Sequence, residues 1–117
     1  MSIPLWRLDE LAAGTARGCL VGKTRVVLVR SLHGSVHAYL NRCPHLGVPL
    51  NWDDDQFMDS EGSLLRCATH GALFEPESGL CILGPCRGEY LWVIECQVSE
   101  GWIVLDTSEL PLPTNLL

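Results

Sequence analysis

Residues 24–40, TRVVLVRSLHGSVHAYL, decide the fold class. Two short runs rich in Val, Leu and Tyr, Thr24 to Arg30 and Val36 to Leu40, flank Leu32-His33-Gly34-Ser35, whose Gly and Ser are turn residues. Strand, turn, strand is the pattern, and it continues outward in both directions. Eleven glycines and seven prolines punctuate the chain every few residues and leave only short apolar runs between them. Ile3 to Leu8, Cys19 to Val21, Ser63 to Arg66, Leu80 to Leu83, Tyr90 to Val98 and Trp102 to Asp106 are the other candidate strands, and Ser99-Glu100-Gly101 turns the last two back on each other. Only Leu8 to Gly14 has helix-like composition, too short for more than a turn or two. The expected class is all-β, an antiparallel sandwich or small barrel, forming a single domain over residues 1–117.

Period-2 alternation puts Trp92, Ile94, Cys96 and Val98 on one face of the Tyr90 to Val98 run, a core face by their apolar character, and Trp92 and Trp102 both fit core-facing positions. The tail PLPTNLL carries too much proline to continue a central strand.

Composition excludes several classes of function. The chain has 8 Lys+Arg against 14 Asp+Glu, a formal charge of -6, and its basic residues form no run, which argues against nucleic-acid binding. Apolar stretches reach four or five residues, far below the ~20 of a membrane span, so no membrane association is expected. The opening MSIPLWRLDE reads as no secretory signal, and the expected compartment is cytoplasmic. No phosphate-binding Gly loop, no Ser/His/Asp order and no nicotinamide or flavin fingerprint is present.

Residues 41–88 differ from the rest: they are loop-rich and hold four of the six cysteines, two of the four histidines and four of the seven prolines. Cys43-Pro44-His45 and Cys67-Ala68-Thr69-His70 each place a thiolate and an imidazole on one tight loop, with 21 residues between the pairs. A spacer of one or two residues on a turning backbone brings two donors together, and two such loops make a four-ligand site. Gly47 and Gly71 follow the pairs, where a backbone folding round a metal needs to come close without a Cβ. Two readings fit two Cys and two His: a tetrahedral structural zinc, or a [2Fe-2S] cluster with two thiolates on one iron and two imidazoles on the other. Zinc-finger spacing usually pairs like with like, whereas here each loop supplies one of each, which suits the two-iron centre.

The segments NRCPHLGVPL and CATHGALFEPESGLCILGPCRG resemble the two cluster-binding loops and proline loop of the Rieske [2Fe-2S] family. That resemblance implies a Rieske-type two-layer β fold whose cluster-binding loop subdomain spans about residues 41–88. It makes Cys43 and Cys67 the ligands of the buried iron, His45 and His70 those of the exposed iron, and Gly84-Pro85 the proline loop. Leu46, Gly47, Gly71, Ala72 and Pro85 would rim the exposed edge. Three departures matter. The spacing between the pairs is a few residues longer than usual, which makes the acidic segment Asp53 to Glu61 a small insertion. The disulfide of the respiratory-complex branch cannot form, because Val48 and Thr69 stand at its positions. The Ser and Tyr whose hydroxyls raise the potential in that branch are here Ala72 and Phe74. The resemblance is therefore to the soluble ferredoxin branch: an electron carrier, not itself an enzyme, between a reductase and an oxygenase or similar terminal oxidoreductase. Two other readings stand beside it, a small Rieske-like subunit of a multicomponent enzyme such as nitrite reductase and a zinc-stabilised interaction module.

Outside this set, Cys81 and Cys86 admit three readings, a disulfide, spare thiols near the cluster or reduced packing residues, of which the last is favoured, and Cys19 and Cys96 read as small core residues. His33 and His37 read as surface or turn histidines. Asp53-Asp54-Asp55 with Asp59 and Glu61 lacks calcium-loop spacing and reads as a solvated acidic loop.

Overall fold

The computed structural model describes residues 2–44, 50, 57–68 and 71–106. Among these residues ten strands follow one another: β1 (Ser2–Arg7), β2 (Thr15–Val21), β3 (Thr24–Arg30), β4 (Val36–Leu40), β5 (Leu65–Arg66), β6 (Leu73–Phe74), β7 (Cys81–Leu83), β8 (Val93–Ile94), β9 (Cys96–Ser99) and β10 (Trp102–Asp106). They form three sheets, ordered β2-β3-β4-β8, β1-β10-β9 and β5-β6-β7, and every pairing is antiparallel. The all-β expectation holds: helix among the described residues is confined to one 3-10 turn, Leu8–Glu10.

Turn chemistry sets the hairpins. Between β9 and β10, Ser99 pairs with Trp102, and both linking residues have positive φ, 52° at Glu100 and 83° at Gly101. This conformation matches the right-handed twist of the flanking strands. Between β3 and β4, Ser31 N–H donates to the Ser35 carbonyl at 2.8 Å, and Arg30 Nε donates to the Gly34 carbonyl at 3.1 Å. Strand β2 starts at Thr15, earlier than the expected Cys19, because Thr15 to Gly18 pair with Val27 to Arg30 across the hairpin. Gly18 contributes no side chain there, and a Cβ would meet the Phe57 ring at 3.0 Å.

Strand β3 is buried on both faces. Val27 and Val29 point into a core shared with Ala16, Tyr39, Phe57, Leu65, Phe74 and four cysteines, while Val26 and Leu28 point into a second core with Ala38, Leu40, Ile94, Ile103 and Leu105. All of Val26 to Val29 are fully buried, each contributing about 1.5–3 kcal/mol of apolar burial. Tyr39 crosses the first core to donate its hydroxyl to the Pro76 carbonyl at 2.6 Å.

The run Tyr90 to Val98 is not one strand. Val93 and Ile94 pair with β4, whereas Cys96 to Ser99 pair with β10, so the chain changes sheets at Glu95, whose carbonyl accepts the Asp106 N–H at 2.9 Å. Alternation counted through such a switch loses its meaning. Trp92 is 57% exposed and Val98 45%, against the expected core positions, while Ile94 is buried and Cys96 half-buried. Trp102, also expected in the core, is 39% exposed at the sheet end, with the Arg7 guanidinium 5.5 Å from its ring centroid. Cys19 and Cys96 pack at the margin of the second core.

Replacing Leu28 with Ala is expected to destabilise the protein by about 2–5 kcal/mol, since the cavity opens in the middle of the molecule. Leu20→Ala, at a side chain 65% exposed, should change stability by under about 0.5 kcal/mol. Urea denaturation of both variants checks the contrast.

Candidate metal centre

Three loops meet at the end of the first core. The first leaves β4 at Asn41, whose N–H donates to the Arg25 carbonyl at 2.9 Å and whose Oδ1 accepts the Leu50 N–H at 2.8 Å. One buried amide thereby closes the mouth of the loop that carries Cys43. The second is a tight turn. Cys67 N–H donates to the Ala72 carbonyl at 2.9 Å, and Gly71, at φ 71°, donates its N–H back to the Cys67 carbonyl at 2.8 Å. The two loops are joined directly, for Ala68 N–H donates to the Leu50 carbonyl at 2.8 Å.

The third loop runs from Cys81 to Glu89 and is held by Cys81 N–H to Glu89 carbonyl at 2.8 Å, Gly88 N–H to Cys81 carbonyl at 3.0 Å, and Glu89 N–H to Cys86 carbonyl at 2.9 Å. It leans on the second loop so closely that a Cβ on Gly84, at φ 111°, would lie 2.8 Å from Ala72 Cα. Only glycine meets both demands there.

Of the residues singled out by sequence, Cys43 is 2% exposed and Cys67 fully buried, both in the first core, while Gly71 and Pro85 are exposed. Ala72, expected on the rim, is instead fully buried beneath Gly84. His45, Leu46, Gly47, His70, Val48, Thr69, Trp52 and Asp53 to Asp55 lie outside the described residues. Sequence reading missed Asn41, a polar residue directly after an apolar strand. It also missed β6, two residues long and recognisable only by its partners.

All six cysteines are free. Cys81 and Cys86 are both 1% exposed, with 3.0 Å between their sulfurs. Burial first, and then the hydrogen bonds and charges of Cys81 and Cys43, push the Cys86 thiol far above its ordinary pKa. Burial likewise pushes Cys96 up to about 11, with Glu95 adding to it. His37 is lowered by burial, with Glu77 opposing, and its Nε2 stands 3.0 Å from Ser35 Oγ. Asp59 is part of the fold, where a solvated acidic loop was expected. Its carboxylate accepts the N–H groups of Ser63 at 2.9 Å and Leu64 at 3.2 Å, which closes the turn between Phe57 and Arg66.

Residues 2–107 match the model of the Rieske [2Fe-2S] domain. The chain belongs to this family. No curated protein sequence matches it. Among solved structures, this Rieske chain resembles the ferredoxin of carbazole 1,9a-dioxygenase from Nocardioides aromaticivorans IC177, with a TM-score of 0.72 at 24% identity over 90% of this chain and 96% of that one. It resembles the terminal oxygenase of carbazole 1,9a-dioxygenase from Novosphingobium sp. KA1 with a TM-score of 0.74 at 22% identity, over 89% of this chain and 29% of that one. A quaternary ammonium Rieske monooxygenase matches with a TM-score of 0.76 at 17% identity, over 92% and 31%. The chain thus spans less than a third of these two oxygenase chains and nearly all of the ferredoxin. At these identities the likeness establishes a Rieske fold.

The family's cofactor is a [2Fe-2S] cluster, and the residues present fit one. Two buried thiols, neither in a disulfide, sit in one core on loops bonded to each other, the environment expected of the two-thiolate side of a Rieske centre.

Two outcomes follow. Gly84→Ala should separate the proline loop from the second loop and lower iron and sulfide content, whereas Gly88→Ala, at φ 92° with nothing within 4 Å of its Cβ, should carry backbone strain alone; iron analysis and melting temperatures of the pair compare contact with strain. At Asp59, partial burial works to raise the pKa, but the backbone hydrogen bonds of Leu64 and Ser63 and the Ser63 hydroxyl outweigh it, and the net shift is downward. A depressed carboxylate stabilises the fold above its unfolded pKa and stops doing so as pH falls through the folded one. Asp59→Asn should therefore lose about 1 kcal/mol near neutrality, a difference that shrinks below pH ~4 when denaturation is measured across pH.

Proposed function

We propose that the chain is a one-electron carrier, in which Cys43 and Cys67 hold the buried iron of the cluster and His45 and His70 the exposed one. The observation that carries this reading is the pair of buried thiols on two loops clipped together at Ala68 and Leu50, each followed in sequence by a histidine two or three residues on. When bound, the group accepts and releases single electrons.

The chain's own contribution is to keep that exchange cheap in reorganisation. Asn41, Ala68 and Gly71 fix the loops through backbone hydrogen bonds, and the apolar core excludes water from the thiolate side. Exposed Gly71 and Pro85, with the described part of the proline loop, supply the edge on which a partner docks, and Leu46 and Gly47 are assigned to the same rim. The proposed partners are a reductase that delivers the electron and an oxygenase or similar terminal oxidoreductase that takes it. Support comes from the near full-length likeness to the carbazole dioxygenase ferredoxin and from the solved complex of reduced oxygenase and oxidised ferredoxin in carbazole 1,9a-dioxygenase, one chain of which matches with a TM-score of 0.70 at 23% identity.

Purified protein should be red-brown, with about two irons and two acid-labile sulfides per chain, and a midpoint potential near the low end of the Rieske range, about -150 mV. Hydroxyls that disperse charge from the sulfurs are missing, since Ala72 and Phe74 stand where they would be. Ala72→Ser and Phe74→Tyr should each raise the midpoint in an EPR-monitored redox titration. A colourless, folded protein carrying one zinc would refute the electron-carrier reading.

A further inference from the structure

Two buried thiols lie outside the proposed ligand set. Cys81 opens β7 and Cys86 stands across the proline loop from it, each 1% exposed, with 3.0 Å between their sulfurs. The backbone sets this approach. Glu89 accepts the Cys81 N–H on its carbonyl at 2.8 Å and donates its own N–H to the Cys86 carbonyl at 2.9 Å, so both cysteines are tied to one residue. Gly88 N–H to the Cys81 carbonyl at 3.0 Å and Arg87 N–H to the Gly84 carbonyl at 3.1 Å close the turn that carries Cys86. In the reduced state Cys86 donates to the Cys81 sulfur, and Cys81 donates to the Leu83 carbonyl at 3.3 Å.

A thiol is a weak donor and a weak acceptor, so this contact adds little to stability. Its consequence is chemical. A disulfide holds its sulfurs at about 2.05 Å, and closure from 3.0 Å asks for a further approach of about 1 Å. The sulfurs are covered by their own loop, for Ile82, Leu83, Gly84 and Pro85 between them are all exposed. Local opening of that segment admits a small oxidant. We propose that Cys81 and Cys86 form a reversible dithiol–disulfide couple on the proline loop, oxidised by a hydroperoxide and reduced by a dithiol. One thiol takes an oxygen from the hydroperoxide, whose O–O bond breaks to leave an alcohol, or water from hydrogen peroxide, and becomes a sulfenic acid. The second thiol attacks that sulfur, the S–S bond forms and water leaves. Two thiols and one hydroperoxide thus give a disulfide, an alcohol and water. A second sulfur at 3.0 Å captures the sulfenic acid before it runs on to the irreversible sulfinic state.

The test takes the protein as purified, treats it with a few equivalents of hydrogen peroxide, quenches in acid, alkylates the remaining thiols and maps the peptides by tandem mass spectrometry. Cys81 and Cys86 should be found joined, two hydrogens lighter, and dithiothreitol should return both to alkylatable thiols. Cys81→Ser and Cys86→Ser should each abolish the bridge, and in at least one of them the retained cysteine should run on to sulfinic acid for want of a partner. The proposal is overturned if both wild-type thiols stay fully alkylatable, if Cys81 or Cys86 is bridged to another cysteine instead, if wild type gives sulfinic acid in place of the bridge, or if the retained cysteine stays reduced in both variants. Should one variant not fold, the wild-type map decides. Iron and sulfide are measured on the same preparation: their absence would overturn the Rieske electron-carrier reading, whereas the bridge is read from peptide masses alone.

Discussion

Everything in this molecule hangs on a strand whose middle, Val26 to Val29, water touches on neither side. Antiparallel sheets commonly leave one face wet, but β3 packs Val27 and Val29 into the core that carries the cysteines and Val26 and Leu28 into the core closed by β10. Four consecutive apolar residues are needed for this, because alternation sends neighbours to opposite faces. The strand couples the end that holds the buried Cys43, Cys67, Cys81 and Cys86 to the supporting sheet with no linker between them. A perturbation on either side reaches the other through one layer of side chains, since a close-packed interior transmits strain.

The loops depend on that strand at first hand. Arg25, at the start of β3, offers the carbonyl that anchors Asn41, and Asn41 closes the first loop on Leu50. Leu50 then bonds to Ala68 of the second loop, and Ala72 of that loop supports the proline loop at Gly84. The order of support is a series, from β3 to the first loop, the second and the third. Rigidity of these loops is inherited from the sheet, which lets short loops hold the Cys43 and Cys67 side chains in fixed places without a disulfide between them.

What the sequence made legible, and what it concealed, divides along one line. Features written in consecutive residues were readable: the β3–β4 hairpin, the Glu100-Gly101 turn, the Cys-x-His and Cys-x-x-His pairs, and Gly84 before Pro85. Features that depend on a distant partner were hidden. Thr15 to Gly18 are strand because β3 lies beside them, and Leu73–Phe74 because β5 and β7 do. Trp92 and Val98 looked like core because apolar residues alternated through them, yet Trp92 precedes the paired residues Val93 and Ile94, and the chain leaves one sheet for another at Glu95 before Val98 is reached. Asp59 looked like one more charge in an acidic loop, since its partners Ser63 and Leu64 are backbone donors that composition does not reveal.

The pairing of β1 with β10 bears on how the molecule comes to exist. Ser2 lies opposite Asp106 and Ile3 opposite Leu105, so this sheet joins the two most distant parts of the described chain. Contacts of such sequence separation slow folding, because the entropy of closing the loop is spent before any contact rewards it. During synthesis the β2–β3–β4 hairpins and both cysteine loops emerge while the Val26 and Leu28 face of β3 still lacks Ile103 and Leu105. The nascent protein thus passes through an interval in which its thiols are available and its second core is open. Emergence of the cysteine loops and completion of the second core are separate events in time, and the side still open in that interval is the one where a chaperone or a neighbouring nascent chain would find exposed strand.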